Sequence, residues 1–312
     1  MVARGARRIE LPSSRPVVVR GADGTRLHTE VFGPPDGYPI VLAHGITCAI
    51  SVWHEQINDL ARDHRVIAFD HRGHGRSGIP SRGHYSLDHL ASDLDAVLEA
   101  TLAPGERAVI AGHSMGGIAI TSWSERYRHK VAERADAVAL INTTTGEIVR
   151  QVKFLSVAPR LAGGRVAVGS RIVKAFGGAP ALRAAAIPSR RFVATLAVGH
   201  DAAPDIVDFV YELYASTPPA GRAGCARMLI DSMEKRHIRL HGLTVPTLVI
   251  GSERDRLLPI DSSRRIARDA PNLAGLVELP GGHCAILERP AEVNAQLRAL
   301  AENATRATSL SG

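Results

Sequence analysis

Six short apolar runs alternate with longer segments of helical pattern along this chain, and this alternation restricts its fold more than any other feature. The runs are PIVLAHG (39–45), RVIAFD (65–70), RAVIAGHS (107–114), AVALINTTT (137–145), PTLVIGSERD (246–255) and LAGLVELPGGH (273–283). Each run is too short for a helix and too continuously apolar for a strand with one face in water. Such strands are typical of a mainly parallel sheet that helices cover on both faces.

The segments between the runs complete this architecture. An antiparallel hairpin is predicted to open the chain and to turn at Asp23-Gly24, and helical patterns occupy 51–64, 86–103 and 290–303. From about 146 to 240 no central strand is predicted, and only helical segments occur. In the segment at 205–216 one apolar face is shared by Ile206, Val207, Val210, Leu213 and Tyr214.

We therefore predict an α/β protein with a mainly parallel sheet of roughly eight strands and helices on both faces. Residues 1–145 are expected to form the first part of this core. Residues 146–240 are expected to form a helical cap inserted after the sixth strand, and residues 241–312 the second part of the core.

Composition bounds the class of protein. The chain has 312 residues, 45% of them apolar, and no stretch approaches the roughly 18 consecutive apolar residues of a membrane span. The N-terminus has arginines but no apolar segment of a secretory signal, so a cytoplasmic protein is expected. Cys48, Cys225 and Cys284 are widely spaced and form no metal-ligand pattern, which argues against disulfides. No cofactor and no metal ion are expected.

The formal charge of +7 does not indicate a nucleic-acid partner. Only four of the 38 basic residues are lysines, and joint enrichment in arginine and alanine is typical of a GC-rich coding sequence. No aromatic-rich binding motif accompanies the charge. We therefore expect no nucleic acid among the partners of this protein.

Ser114 stands between two glycines at the join of a predicted strand and a predicted helix. AVIAG (108–112) has the strand pattern and GIAITSWSERY (117–127) the helical one. A sharp turn there projects the serine hydroxyl from the carboxyl end of the strand, and side chains at Gly112 or Gly116 would collide with the chain. This context favours a nucleophile over a serine that merely shapes a turn.

A serine nucleophile needs a base, and the base needs a carboxylate to orient it. Asp255 follows the predicted strand in PTLVIGSERD, and His283 lies on a glycine-rich loop after the last predicted strand. The order along the chain is Ser114, Asp255, His283. Glu253 lies two residues before Asp255 and is a second candidate for the acid.

Further motifs complete a resemblance to a known superfamily. HGI (44–46) follows the third predicted strand, and DHRGHGRS (70–77) follows the fourth. Together with the G-x-S-x-G turn and the order of the three residues, these motifs resemble the α/β-hydrolase superfamily over roughly residues 25 to 303. The other place where this family carries its acid, after the sixth strand, holds Asn142, which has no charge.

The resemblance implies a role for each site residue. Ser114 is the expected nucleophile, His283 the general base and then acid, and Asp255 the carboxylate that fixes the imidazole tautomer. The backbone N–H groups of Ile46 and Met115 are the expected donors to the oxyanion of the tetrahedral intermediate.

Residues next to the site are expected to have structural roles. His44 and His113 are predicted to hydrogen-bond the backbone beneath the site. Asp70 and Arg72 are predicted to brace loops through an ion pair. Cys284 is predicted to fill a small buried space, because its thiol has no cationic partner of its own.

The expected chemistry is acyl transfer through a covalent acyl-enzyme. A carboxylic-ester hydrolase of esterase or lipase type, acting on an aliphatic or lipid-like small-molecule ester, is the predicted function. A cofactor-free perhydrolase or haloperoxidase uses the same three residues and is an alternative. A C–C bond hydrolase is another, although HGITCAI (44–50) lacks the HGxGPG pattern of many such enzymes. A non-enzymatic small-molecule binder is the alternative outside catalysis.

The predicted cap carries an unbalanced charge. Between Ile148 and His200 no Asp or Glu occurs, and the nine basic residues are Arg150, Lys153, Arg160, Arg165, Arg171, Lys174, Arg183, Arg190 and Arg191. Basic amphipathic helices suit an anionic lipid surface or an acidic substrate head group. We expect the cap to guide lipid-like esters to Ser114 and to contact anionic membranes. The alternative is a solvated basic face with no partner.

Overall fold

The computed structural model describes residues 9–81, 83–148, 186–234 and 236–311. Eight strands form one sheet: β1 Ser14–Arg20, β2 Arg26–Phe32, β3 Tyr38–Ala43, β4 His64–Phe69, β5 Ala108–His113, β6 Ala135–Ile141, β7 Thr247–Ser252 and β8 Leu273–Leu279. Their order across the sheet is β1-β2-β4-β3-β5-β6-β7-β8. β3 to β8 are parallel, whereas β1 and β2 pair antiparallel with their neighbours. The predicted mainly parallel, eight-stranded α/β fold is confirmed.

Helices connect the strands and cover the sheet. A 3-10 turn at Ile50–Trp53 leads into the first α-helix. The α-helices are α1 His54–Leu60, α2 Leu87–Thr101, α3 Met115–Arg126, α4 Arg128–Arg134, α5 Ala186–Ala197, α6 Pro204–Ser216, α7 Pro219–Met233, α8 Ile260–Asp269, α9 Ala285–Glu288 and α10 Pro290–Ser311.

The core lies on both faces of the sheet, as the uninterrupted apolar runs require. In β3, Ile40 and Leu42 belong to one buried cluster, which also holds Trp53. Val41, between them, belongs to a second cluster, which holds Trp123. Successive strand residues point to opposite faces, so a strand buried on both sides must be apolar at every position.

The opening hairpin has the predicted turn. β1 and β2 pair until Arg20 lies opposite Arg26, and the intervening loop is closed by a hydrogen bond from Gly21 N–H to the Thr25 carbonyl. Gly24 has a φ of +82°, a left-handed conformation that glycine adopts without steric cost. The turn therefore falls at Asp23-Gly24.

Among the described residues, three helices of the predicted insertion, α5 to α7, lie between β6 and β7 in the chain. On α6 the predicted apolar face is directed inwards, with Val210 and Leu213 buried. The cap prediction for residues 149–185 lies outside the described residues. So do Arg150 to Arg183 of the basic set and the side chain of Arg191.

Arg190 is the member of the basic set whose contacts the structure describes. Its Nε donates to Asp208 Oδ1 at 2.6 Å, so an acid on α6 balances this charge. None of the described helices combines the length and the apolar content that crossing a membrane requires. Contact of the cap with anionic membranes stays a prediction.

Candidate active site

The chain turns sharply at Ser114, between β5 and α3. Ser114 has a φ of 53° and a ψ of −116°, a strained conformation for a residue with a side chain. Such backbone strain costs about 1–3 kcal/mol and is concentrated at functional sites. A Cβ at Gly112 would lie 2.5 Å from the backbone of Gly116, and one at Gly116 would overlap the backbone of Ala43. The two glycines are thus required by close approach of the chain to itself.

Asp255 and His283 are brought together from loops 28 residues apart in the chain. His283 Nδ1 lies 2.7 Å from Asp255 Oδ2, and both residues are buried. Asp255 Oδ1 accepts the backbone N–H groups of Leu257 and Leu258 at 2.9 and 2.8 Å. A carboxylate held in this way keeps the imidazole proton on Nδ1 and leaves Nε2 as a free base.

Glu253, the alternative acid, has a different environment. It is exposed, and within the described residues its side chain makes no hydrogen bond to His283. The geometry therefore favours Asp255 as the carboxylate of the pair.

Asn142 supports the acid in a way that the sequence does not reveal. It follows β6, has a φ of 43°, and its Nδ2 donates to Asp255 Oδ2 at 3.1 Å and to Ser252 Oγ at 3.0 Å. Because β6 lies beside β7, the side chain after one strand reaches the side chain after the other. Asn142 thus adds a hydrogen bond to the oxygen that faces His283.

His113 links the loop of His283 to the strand end that carries Ser114. Its Nε2 donates to the His283 carbonyl at 2.8 Å. His44 donates from Nδ1 to the Gly45 carbonyl at 2.7 Å and accepts the His71 N–H at Nε2. Both histidines bind backbone beneath the site, as predicted.

The Ser114 hydroxyl itself makes no hydrogen bond within the described part of the chain. Catalytic hydrogen bonds are often long or misaligned in proteins without substrate and form only in the complex. The hydrogen bond of His113 joins the Ser114 turn and the His283 loop at one edge of the sheet.

The loop after β3 lies against the Ser114 turn. A Cβ at Gly45 would be 3.1 Å from Ser114 Cβ. Thr47, with a φ of 60°, donates its backbone N–H to His74 Nε2 at 3.1 Å. Across the described residues, no acceptor is hydrogen-bonded to the N–H of Ile46 or of Met115. An oxyanion site requires free amides, and these two lie in the loop after β3 and directly after Ser114 in the chain.

The predicted ion pair between Asp70 and Arg72 is wrong. Arg72 donates to both oxygens of the buried Asp93 at 2.6 Å and to Asp23 Oδ2 at 3.0 Å. Asp70 instead accepts the N–H groups of Ile50 and Arg76 at 2.7 and 2.8 Å. The two residues brace different loops, because adjacent guanidinium and carboxylate groups each find better-placed partners on other elements.

The cysteines are buried free thiols. Burial raises the pKa of Cys48 and of Cys225 to about 12, and raises the pKa of Cys284 well above its ordinary value. Such thiols stay protonated and are poor nucleophiles. Cys284 is a buried apolar residue beside His283, as predicted.

Asp23, His84 and His89 form a group among the described residues that could hold a metal ion, with ligand atoms within 4.8 Å of one another. Asp23 Oδ2 already accepts hydrogen bonds from Arg72 at 3.0 Å and from His84 Nδ1 at 2.9 Å. The nearby Arg72 cation and the N-terminus of α2 both oppose a second cation. Hydrogen bonding and ion pairing account for this group, and we assign no metal to it.

Buried histidines under the site make stability sensitive to acid. Burial lowers the pKa of His44 to about 4, lowers the pKa of His74 and of His113 to about 3, and lowers that of His71 well below its ordinary value. In an unfolded chain these rings titrate at about 6.5. The unfolded state therefore binds protons that the folded state does not, at every pH between the two values.

We expect the free energy of unfolding to be highest above a pH of about 6.5 and to fall as pH decreases towards 4. At pH 5 each of His44, His74 and His113 lowers the free energy of unfolding by about 2 kcal/mol relative to its value at neutral pH. Urea denaturation at a series of pH values measures the slope. His71→Phe is a direct check, because neither ring nitrogen of His71 has a hydrogen-bond partner in the described structure. This variant should lose less stability on acidification, and an equal loss in both proteins would contradict the prediction.

Comparison with known proteins identifies the architecture. The sequence profile of the alpha/beta hydrolase fold family matches residues 38–290. That range contains the turn at Ser114 and both members of the Asp255–His283 pair.

Individual relatives carry different activities in their names. The protein named carbamate hydrolase RutD in Variovorax paradoxus is 30% identical, over 87% of this chain and 94% of the relative. A non-heme haloperoxidase of Rhodococcus erythropolis is 28% identical, over 91% of this chain and 99% of the relative. The structure of a thermophilic esterase from Thermogutta terrifontis has a TM-score of 0.70 at 22% identity, over 94% of this chain and 99% of that chain. At this level of identity, the similarity to the esterase structure shows a shared fold.

Proposed function

Because this chain belongs to the alpha/beta hydrolase fold family, we propose that it is a serine hydrolase that cleaves carboxylic esters through an acyl-enzyme. The observation that carries the proposal is the 2.7 Å contact between His283 Nδ1 and Asp255 Oδ2 at the edge of the sheet where Ser114 occupies a strained turn. A base with an oriented tautomer at the same edge of the sheet as a serine in a strained turn is the arrangement that activates a hydroxyl.

In the proposed acylation step, Ser114 Oγ attacks the ester carbonyl carbon while His283 Nε2 takes the hydroxyl proton. The carbonyl oxygen becomes an oxyanion, which accepts hydrogen bonds from the Ile46 and Met115 amides. Donors of this kind contribute on the order of 3 kcal/mol each to the transition state. His283 then gives its proton to the leaving alcohol, and Asp255 stabilises the imidazolium during the step.

In deacylation, water takes the place of the alcohol. His283 removes a proton from the water as it attacks the acyl carbon, and returns the proton to Ser114 Oγ when the acid leaves. Hydrogen peroxide in the same position would give a peracid, which is the chemistry of the perhydrolase alternative. The relative in Rhodococcus erythropolis is named a non-heme haloperoxidase, which supports this second candidate.

The two residues whose amides are the proposed oxyanion donors have side chains that pack among apolar neighbours. Met115 is buried in a cluster with Met228 and Leu229 of α7, and the side chains of Ile46 and Tyr85 pack against it. An acyl chain that enters this region leaves water for an apolar surface. We therefore propose aliphatic or lipid-like acyl groups as the substrate class.

A series of p-nitrophenyl esters from acetate to decanoate tests the proposal. Each methylene that becomes buried contributes about 0.8 kcal/mol, so kcat/KM should rise by up to about fourfold per CH₂ before it levels off. A peroxide-dependent halogenation assay is run beside it, and the ester rate should exceed the peroxide rate. Absence of hydrolysis along the whole series, together with a peroxide-dependent activity, would favour the perhydrolase.

The binder alternative has its own test. A fluorophosphonate probe reacts only with an activated serine, so labelling of Ser114 in the folded protein is expected. Folded protein that stays unlabelled would favour a receptor that uses the pocket without chemistry.

A further inference from the structure

One carboxylate oxygen joins the loop of His283 to the inserted helices. Glu288 is the last residue of α9, five residues after His283. Its Oε2 accepts the backbone N–H of Gly282, at 2.9 Å, and also the backbone N–H of Gly199, at 2.9 Å. Gly282 immediately precedes His283, and Gly199 follows α5 of the insertion.

The two chain segments approach each other closely at this point. A Cβ at Gly282 would overlap the backbone of Val198 and Gly199, and a Cβ at Gly199 would lie 2.8 Å from Glu288 Oε2. On the other side of His283, the N–H of Cys284 donates to the Ala197 carbonyl at 3.0 Å. The residues before and after His283 are therefore both tied to the segment 197–199.

The negative charge of Glu288 contributes to this connection. Hydrogen bonds from N–H groups to a carboxylate are about twice as strong as those to a neutral acceptor. The other oxygen, Oε1, is shielded from solvent and has no partner within the described residues. Burying a carboxylate oxygen without a hydrogen-bond donor is unfavourable, so Oε1 of Glu288 lowers the free energy of unfolding.

We propose that Glu288 is a positioning residue for the reaction, which holds the His283 loop in register with Asp255 by binding Gly282 and the segment 197–199 together. It does not touch the reacting atoms. The inference rests on the proposed function. It also gives the insertion a role in the reaction, because the segment 197–199 at the end of α5 helps to position His283.

A displaced imidazole affects the chemical step more than substrate binding. Displacement of about 1 Å in a catalytic group can reduce the rate by roughly 10²-fold. Loss of the Glu288 carboxylate should accordingly lower kcat and leave KM nearly unchanged. A contact that only attached the cap would alter KM, because the cap shapes the space for substrate.

The experiment measures kcat and KM for a p-nitrophenyl ester in wild-type protein and four variants. Glu288→Ala should lose roughly 10²-fold in kcat. Glu288→Gln keeps a neutral oxygen for the same two N–H groups, with hydrogen bonds of about half the strength, and should lose only about threefold in kcat.

Two further variants are controls. Asp201→Asn removes the exposed ion pair of Asp201 with Arg254, a second link from this turn to the core. Glu292→Ala removes an exposed carboxylate in the first turn of α10. Both controls should keep the wild-type kcat.

A spectroscopic measurement separates this inference from the proposed function. The proton between His283 Nδ1 and Asp255 should give a far-downfield ¹H resonance in wild type, which weakens in Glu288→Gln and disappears in Glu288→Ala.

The possible outcomes distinguish the two claims. Wild type that hydrolyses no ester overturns the proposed function, and the resonance then still reports on the position of the His283 loop. Active wild type with unchanged kcat and resonance in Glu288→Gln and Glu288→Ala overturns the inference. If Glu288→Ala does not fold, Glu288→Gln with an unchanged kcat and resonance overturns it alone. Equal kcat losses in Asp201→Asn and Glu288→Ala would also overturn it, because cap attachment would then explain both.

Discussion

Ser114→Ala is expected to lower kcat for a p-nitrophenyl ester by a factor on the order of 10⁴ or more, while the variant folds like the wild type. Alanine lacks Oγ, the atom proposed to form the acyl-enzyme. Residues of such a constellation act as one unit, so His283 and Asp255 cannot compensate for its loss. The positive φ of 53° at this position strains alanine as it strains serine, so the melting temperature should not change much.

Ser122→Ala is the matched control for this experiment. Ser122 is a second buried serine, which lies on α3, and its Oγ has no hydrogen-bond partner within the described residues. This variant should keep the wild-type rate and react with a fluorophosphonate, whereas Ser114→Ala should do neither. Retention of more than about a tenth of the wild-type rate in Ser114→Ala would show that another group is the nucleophile.

Asp255→Asn is expected to cost roughly 10⁴ in kcat, by comparison with the same change in serine proteases. The N–H groups of Leu257 and Leu258 bind Oδ1, so they should hold the carbonyl oxygen of the new side chain in that place. Its NH₂ group would then face His283 Nδ1 and force that nitrogen to accept. The imidazole proton moves to Nε2, which can no longer take a proton from Ser114.

Glu253→Gln is the control for the acid. Glu253 is exposed and two residues from Asp255, so the change removes one charge from the same loop without touching the buried pair. We expect the steady-state rate of Glu253→Gln to match the wild type at each ester concentration. A larger loss in Glu253→Gln than in Asp255→Asn would mean that the acid has been misassigned.

The strands were predictable because a short, continuously apolar run fits a strand that is buried on both faces of a sheet. Each of the six runs overlaps one of the strands β3 to β8, and the ends of run and strand differ by a few residues. The helical pattern at 51–64 was less informative, since α1 ends at Leu60. Arg298 of α10 binds Asp59 at 3.0 Å and Asp63 at 2.7 Å, and this contact with the far end of the chain stabilises the turn that follows α1. The hydrophobic periodicity of residues 51–64 cannot reveal a partner as distant in the chain as Arg298.

The residue types of the candidate site were predictable, whereas the contacts that hold them were not. A serine in a glycine turn, followed by an acid and a histidine after later strands, can be found along the sequence because each stands at a strand end. The bond from Asn142 to Asp255 spans 113 residues and exists only because β6 lies beside β7. The partners of Arg72 likewise come from a hairpin turn and from α2. Side-chain pairing of this kind depends on strand order, which periodicity alone leaves undetermined.

The chain leaves the sheet after β6 and returns as β7, and these two strands are immediate neighbours, with Val138 opposite Thr247 and Ile141 opposite Ile250. Because β6 and β7 pair directly, their register does not depend on the inserted helices α5 to α7 between them. The inserted helices can therefore change in evolution without displacing the strand ends that precede Ser114, Asp255 and His283. The segment 197–199 sets a boundary to that freedom, because any replacement must still present N–H and C=O groups to the loop of His283.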